Sequence, residues 1–141
     1  MQMTFKAVGI SHKNSPIEVR EKLALGETSS KRFLKLINNT LGIGECLVLS
    51  TCNRTEIYYS SDLQLKEEVI KLLAVHNGSY KGDELLSYFE EYNHNEAIHQ
   101  LFKVSLGLDS QVLGDIQISN QVKKAYQWSV DEGMAGPFLH R

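Results

Sequence analysis

The feature that most constrains the fold is a pair of β-forming runs joined by a short polar segment. Residues 45–50 read ECLVLS and residues 55–60 read TEIYYS, and both are rich in residues that favour strands. The residues between them, 51–54, read TCNR and lack the Asn-Gly or Asp-Gly pair of a tight two-residue hairpin. Polar residues concentrated between two buried strands predict a functional site at that junction.

The remaining elements follow from apolar spacing and from turn residues. Residues 4–10 read TFKAVGI and predict a strand, and a further strand is predicted within residues 85–91. Helices are predicted wherever apolar residues recur at helical spacing after a capping residue. Their predicted starts are Pro16, one of Thr28, Ser29 and Ser30, then Asp62, Asn93 or Asn95, and Asp115. Their predicted ends are Gly42, Asn77-Gly78, Gly107 and Gly133.

The order of these elements indicates the fold class. Strands cluster early in the chain and helices late, which is typical of an α+β protein. We predict a small ferredoxin-like (αβ plait) sheet-and-helix core with additional helices in the C-terminal half. In the helix predicted after Asn93 or Asn95, one side is expected to be apolar and to carry Ala97, Ile98, Leu101, Phe102 and Ser105.

Composition excludes several classes of protein. The 141 residues carry a formal charge of −2, so the chain is not a generic binder of nucleic-acid backbones, although a site for one RNA end stays compatible. No apolar run reaches the ~20 residues that span a bilayer, and the first ten residues lack the pattern of a signal peptide. We therefore expect a cytoplasmic protein that does not enter membranes. Two cysteines and five scattered histidines predict neither a disulfide framework nor a metal site.

Cys52 is the candidate nucleophile of the polar junction. A thiolate is strongly nucleophilic, and Arg54 two positions later could supply positive charge to it or bind a carboxylate. The competing interpretations are a small buried cysteine at Cys52 and a plain surface ion pair between Arg54 and Glu56. Cys46 lies inside the apolar run and is interpreted as a core residue.

Five blocks of sequence, in order along nearly the whole chain, resemble glutamyl-tRNA reductase. The blocks are GISHKNSP at 9–16 with Arg20-Glu21, LSTCNRTEIY at 49–58, LFKV at 101–104, GLDS at 107–110 with VLGDIQI at 112–118, and QVKKAY at 121–126. The resemblance implies an oxidoreductase of tetrapyrrole (porphyrin) biosynthesis that converts glutamyl-tRNA and NADPH to glutamate-1-semialdehyde. Residues 1–141 then look like its N-terminal catalytic domain, with residues from about 115 running into the connection to an absent NADPH-binding domain.

The resemblance also implies roles for individual residues. Cys52 matches the nucleophile, which forms a glutamyl thioester intermediate, and Arg54 matches the residue that holds the substrate carboxylate. The other implied substrate-binding residues are Thr51, Asn53, Ser110, Asp115, Ile116, Gln117 and Gln121. NADPH is expected as the cofactor of the full-length enzyme and none is expected in this fragment, because no Gly-x-Gly-x-x-Gly loop follows a strand.

Two positions depart from the family pattern. The family usually has a histidine, thought to assist catalysis, where this chain has Gln100, and His99 lies one position earlier. One helical step rotates a side chain by roughly 100°, so His99 cannot simply replace it in a rigid helix. Catalytic assistance is therefore assigned to Gln100 or His99 without a choice between them. Asp115-Ile116 stands where the family commonly has Glu-Pro.

The expected partners come from the resemblance as well. They are glutamyl-tRNA and, for handover of the product, glutamate-1-semialdehyde aminomutase. The family dimerises through a domain absent here, so this fragment is expected to be monomeric. Two alternatives stay open: a different cysteine hydrolase or esterase that uses Cys52 with His12 or His99, and a substrate-binding module without turnover.

Overall fold

The computed structural model describes residues 3–78, 82–106 and 116–139, with the side chains of residues 116–119 left aside. It contains a four-stranded antiparallel sheet and helices on both of its faces. The strands are β1 (Thr4–Ser11), β2 (Cys46–Ser50), β3 (Arg54–Ser61) and β4 (Glu90–Asn93). The helices are α1 (Ile17–Lys22), α2 (Glu27–Leu41), α3 (Lys66–His76), α4 (Gly82–Leu85), α5 (Asn95–Ser105) and α6 (Ile116–Asp131), and a 3₁₀ turn spans Leu86–Tyr88.

The strand order across the sheet is β2-β3-β1-β4, and every neighbouring pair is antiparallel. β2 and β3 are consecutive and pair as a hairpin, with Ser50 opposite Thr55. β1 pairs with the other side of β3, with Ser11 opposite Arg54. The end of β1 and the β2–β3 connection therefore lie at the same end of the sheet.

Alternation along the strands divides the core into two apolar layers. Val8, Val48 and Ile57 face one side of the sheet and are fully buried against α2 and α3. Phe5, Leu47 and Tyr58 face the other side, where α5 and α6 cover them. The sheet is thus the middle of three layers, a mixed arrangement of helix and sheet as expected for an α+β protein.

The chain after α6 returns to the edge strand β2. Gly133 takes the left-handed conformation, with φ of 69°, and ends the helix region. The Glu45 carboxylate, which is buried, then accepts hydrogen bonds from the backbone N–H groups of Gly136 (3.0 Å) and Leu139 (2.7 Å). The Cys46 N–H donates to the Met134 carbonyl at 2.8 Å. We call residues 134–139 the return segment.

Most of the predicted elements are present, with displaced ends. The strands predicted at 4–10, 45–50 and 55–60 are confirmed to within one residue at either end. Pro16 precedes α1, Gly42 ends α2 with φ of 69°, and Asn77 ends α3, as predicted. Of the strand predicted within 85–91, the first part is instead helical turn, and β4 begins only at Glu90.

The predicted helix starts are wrong at two places. α2 begins at Glu27 after an extended Gly26, whose carbonyl accepts the Ser30 N–H at 2.8 Å, so Thr28, Ser29 and Ser30 lie inside the helix. α3 begins at Lys66 after Leu65, so Asp62 lies three residues before the cap position, where no side-chain cap hydrogen bond is made. Both helices thus begin without the polar side-chain cap that was predicted. Asp115 and Gly107 fall outside the described residues.

Ile98, Leu101, Phe102 and Ser105 share one side of α5, as predicted, but that side lines a surface groove and is not the row buried against the sheet. Ala97 is buried as expected, but its buried companions are Gln100 and Val104. Ile98 and Phe102 are exposed, Phe102 by 63%. The helix faces the sheet along the 97–100–104 row, so a polar residue enters the core. No helix in the described ranges is long and apolar enough to cross a membrane.

Candidate active site

The β2–β3 connection is a short turn closed by its own hydrogen bonds. The Thr51 N–H donates to the Arg54 carbonyl at 2.8 Å, and the Asn53 N–H donates to the Thr51 hydroxyl at 3.1 Å. Cys52 lies at the apex between them and is exposed. The side chain of Thr51 therefore shapes the turn that presents the Cys52 thiol to solvent.

The loop after β1 supports this turn from the neighbouring strand. The His12 N–H donates to the Asn53 carbonyl at 2.8 Å. The loop itself is held by Asn14, whose amide oxygen accepts the Ser11 N–H at 2.9 Å. The structure thus brings Thr51, Cys52 and Asn53 together with the backbone of His12.

Arg54 begins β3 and is buried, with only 1% of the residue exposed. Its Nη1 lies 3.4 Å from Oε2 of Glu56, which is equally removed from solvent. The interpretation of this pair as a plain surface contact is therefore wrong. Because both charges are out of water, their separation would leave an uncompensated buried charge, which is costly.

Two further side chains hold the Glu56 carboxylate. The Tyr58 hydroxyl donates to Oε1 at 2.8 Å and the Gln100 amide donates to Oε2 at 2.9 Å. Burial, followed by the negative charge of Glu56, raises the pKa of the Tyr58 phenol well above its ordinary value, so Tyr58 stays a donor. We call Arg54, Glu56, Tyr58 and Gln100 the buried polar cluster.

The cluster occupies one face of the sheet because its β3 members alternate. Arg54, Glu56 and Tyr58 are spaced by two, so they point to the same side of the strand, toward α5. Gly9 on β1 is directly opposite Glu56. A Cβ at Gly9 would lie 2.7 Å from Glu56 Cγ, so the glycine provides the space that the carboxylate occupies.

The structure separates the two residues considered for catalytic assistance. Gln100 is 6% exposed and contacts Glu56, whereas His99 lies on the exposed side of α5. A histidine one position away from Gln100 therefore faces solvent, as the 100° step of a helix requires.

The later predicted residues are not joined to this site by the described contacts. Ser110 and Asp115 fall outside the described residues. Ile116 and Gln117 are placed only as the first two backbone positions of α6, and Gln121 is exposed further along that helix.

A second surface feature is an apolar groove between α5 and α6. It encloses about 830 Å³ and is lined mainly by apolar side chains such as Phe5, Leu101 and Val122. None of the predicted site residues lines it. Neither cysteine lines the groove.

The second cysteine, Cys46, differs from Cys52 in its burial. Cys46 is fully buried in the layer beneath α2 and α3, as predicted. Burial, and to a lesser extent the charge of Glu45, raises the pKa of its thiol far above the ordinary value. Cys46 is therefore a neutral core residue.

Sequence reasoning missed three members of the site environment. Glu56, Tyr58 and Gly9 lie within the blocks that resemble the family but were not assigned roles. The signal that could have found them is the polar alternation Arg54-x-Glu56-x-Tyr58 in a strand predicted to be buried, because buried polar side chains need partners on one face.

The fold and the turn together define a class: an α+β domain that presents an exposed thiol beside a buried guanidinium–carboxylate cluster. Comparison with known proteins identifies the family. The profile of "Glutamyl-tRNAGlu reductase, N-terminal domain" matches residues 8–141, and the chain belongs to this family.

Individual relatives lead to the same family. The chain is 47% identical to a glutamyl-tRNA reductase of Cytophaga hutchinsonii over 100% of its own length and 33% of the relative's. It is 42% identical to one from Heliobacterium mobile over 89% of the chain and 28% of that protein. The solved structure of glutamyl-tRNA reductase from Methanopyrus kandleri matches with a TM-score of 0.76 and 28% identity, over 96% of this chain and 31% of that one. The chain thus spans about a third of the length of these relatives.

The family name raises the question of a nicotinamide cofactor. A dinucleotide is usually held by a Gly-x-Gly-x-x-Gly turn between a strand and a helix. This sequence has no such motif, and its β-to-α connections are not glycine-rich in that pattern. The chain therefore lacks the usual sequence signature of a dinucleotide site.

Proposed function

We propose that residues 1–141 form the catalytic domain of a glutamyl-tRNA reductase, with Cys52 as its nucleophile. The Cys52 thiolate attacks the carbonyl carbon of the ester between glutamate and the tRNA 3′ end. A carbon–sulfur bond forms, the carbon–oxygen ester bond breaks, and the tRNA leaves as an alkoxide that takes up a proton. The product on the protein is a glutamyl thioester.

The observation that carries this proposal is the contrast between the two thiols. Cys52 is exposed at the apex of a closed turn, whereas Cys46 is fully buried. A bulky ester such as a charged tRNA end requires a thiol that projects from the surface. The backbone contacts that fix the turn reduce the freedom that would otherwise be lost when the ester binds.

Arg54 is the proposed binding residue for the side-chain carboxylate of the substrate. A guanidinium matches a carboxylate in geometry and keeps its charge at all relevant pH values. Because Arg54 is buried, a carboxylate that reaches it is removed from water, where pairing is stronger. Thr51 and Asn53 shape the turn, and the other proposed contacts are Ser110, Asp115, Ile116, Gln117 and Gln121.

The remainder of the proposal concerns the whole protein. Reduction of the thioester to glutamate-1-semialdehyde by NADPH is assigned to a protein of the relatives' length, in which residues from about 115 lead toward the NADPH-binding domain. A cytoplasmic location, a homodimer of the full-length protein and handover to an aminomutase belong to the same proposal. For the sheet itself we propose the ferredoxin-like plait, supported by the order β2-β3-β1-β4 with all pairs antiparallel.

Intact-protein mass spectrometry after brief exposure to glutamyl-tRNA tests the proposal. We expect one glutamyl adduct that hydroxylamine removes, that Cys52→Ser abolishes and that Cys46→Ser retains. The two variants make the same chemical change at an exposed and a buried thiol. An adduct that survives in Cys52→Ser, or none on a chain whose Cys52 reacts readily with iodoacetamide, would contradict the proposed nucleophile.

A further inference from the structure

Three separate elements meet at the carboxylate of Glu56. β3 contributes Arg54 and Tyr58, β1 contributes the space above Gly9, and α5 contributes the amide of Gln100. Gln100 is the only one of these donors that comes from outside the sheet. Its hydrogen bond joins residues 44 positions apart in the sequence.

We propose that Gln100 is a positioning residue, which acts through Glu56 to fix the orientation of the Arg54 guanidinium for a substrate carboxylate. This inference rests on the proposed function, because it concerns the same binding site. It assigns Gln100 no proton transfer and no direct contact with the reacting atoms.

The chemistry of the amide supports a positioning role. A carboxamide neither accepts nor releases a proton in the pH range of proteins, so Gln100 cannot serve as a general acid or base. Its Nε2 donates to Oε2 of Glu56 at 2.9 Å, the same oxygen that lies 3.4 Å from Arg54 Nη1. The oxygen nearest the guanidinium is thus the one that Gln100 holds.

Tyr58 holds the other oxygen of the Glu56 carboxylate. Its hydroxyl bonds Oε1 at 2.8 Å, so with Gln100 both oxygens are tethered and the carboxylate plane cannot turn freely. Arg54 pairs with a fixed plane and is therefore held in a fixed direction. Without Gln100 the oxygen nearest the guanidinium loses the amide donor that holds it, so the partner that orients Arg54 is held less firmly.

The orientation of Arg54 can be measured with two small alkylating agents. Iodoacetate and iodoacetamide both react with the Cys52 thiolate, but only iodoacetate carries a carboxylate that Arg54 can attract. The ratio of their rates at Cys52, determined by peptide mapping, cancels any change in thiol ionisation. The same ratio of rates, measured in the urea-unfolded chain, is the reference value for a Cys52 thiol that has no folded binding site beside it.

We expect the folded wild-type chain to favour iodoacetate relative to this reference, and Gln100→Leu to lower the ratio about tenfold, as for the loss of one hydrogen bond to a charged group. Gln100→His, which keeps a ring N–H donor, should retain most of the preference. Ser105→Ala on the same helix is the matched control and should leave the ratio unchanged. Circular dichroism and thermal unfolding establish that each variant is folded.

Each outcome decides one question. A folded Gln100→Leu variant with the wild-type ratio, or a folded wild-type chain without any preference for iodoacetate, would overturn the positioning role. If Gln100→Leu does not fold, Gln100→His and Gln100→Glu give the decision, since only the first keeps a donor toward Glu56. The glutamyl adduct on wild-type Cys52 is measured independently, so failure of the proposed function is distinguishable from failure of this inference.

Discussion

Gly9 and Glu56 face each other across β1 and β3 so closely that a Cβ on Gly9 would lie 2.7 Å from Glu56 Cγ. The same Cβ would approach the Thr55 carbonyl oxygen to 3.3 Å. The position therefore tolerates no side chain unless β3 or the carboxylate moves. The absence of a side chain on one strand is what allows a charged side chain to be buried on the next.

Gly9→Ala should therefore destabilise the protein and disturb the buried polar cluster. Forcing a methyl group into a packed site costs about 1 to 3 kcal/mol. Urea unfolding measures the loss, and the ratio of iodoacetate to iodoacetamide rates at Cys52 should fall with it. Gly44→Ala is the control, since nothing lies within 4 Å of its Cβ position. Equal stability of the two variants would show that the space above Glu56 is not needed.

Glu45→Ala should release the return segment from β2. The change removes the one oxygen that accepts the N–H groups of Gly136 and Leu139, and each buried donor left without a partner costs about 1 to 3 kcal/mol. Hydrogen exchange at these two amides should accelerate. Glu45→Gln keeps an acceptor oxygen and should lose less. Unchanged protection of both amides in Glu45→Ala would contradict the anchoring role of the carboxylate.

Cys46 should make the stability depend on alkaline pH. Burial raises the pKa of its thiol above the ordinary 9.0, so the native state keeps a proton that the unfolded chain releases. The unfolding free energy is then little affected by this group well below pH 9 and falls by about 1 kcal/mol between pH 9 and 10, with the slope approaching about 1.4 kcal/mol per pH unit above that. Urea titrations between pH 9 and 10 measure the slope.

Cys46→Ala supplies the control for this slope. It has no thiol to ionise, so its unfolding free energy should decline less steeply over the same interval. The buried tyrosines Tyr58 and Tyr59, whose pKa values are also raised by burial, lower the stability mainly above their ordinary value of 10.0, so the comparison is made below that pH. Parallel curves for the two proteins would show that the Cys46 thiol ionises equally well in the folded chain.

The orientation of α5 predicts opposite outcomes for two neighbouring apolar residues. Val104→Ala removes a side chain that is 1% exposed and should cost about 1 to 3 kcal/mol. Phe102→Ala removes a much larger side chain that is 63% exposed and should change stability by less than about 0.5 kcal/mol. Thermal unfolding of both variants compares them directly. A greater loss for Phe102→Ala would mean that this helix turns its other side to the sheet.

Most strands and helices could be predicted from the sequence because each depends on a short segment of the chain. The two β-forming runs, the glycine that ends α2 and the helical spacing of apolar residues are properties of short segments. The thiol turn could be predicted for the same reason, since Thr51, Cys52 and Asn53 are adjacent in the chain. The buried location of Cys46 followed from its apolar neighbours.

The buried polar cluster could not be predicted because it depends on packing between distant elements. The Arg54–Glu56 pair was interpreted as a possible surface contact, and no prediction was made for the burial of Gln100, which donates to Glu56 from α5. The row of α5 that is buried against the sheet includes Gln100, whereas the more apolar row with Ile98 and Phe102 lines the groove. Helix starts were misplaced where a backbone turn, such as the one at Gly26, replaced a side-chain cap.

The return segment has a consequence for how the molecule behaves at high concentration. β2 is an edge strand, and an uncovered edge offers free backbone groups with which another copy can pair. The Cys46 N–H, at the start of that edge, is already bonded to Met134, and Glu45 keeps the segment in place. Loosening this short stretch of chain would open a template for strand addition, so its first visible effect would be self-association and precipitation.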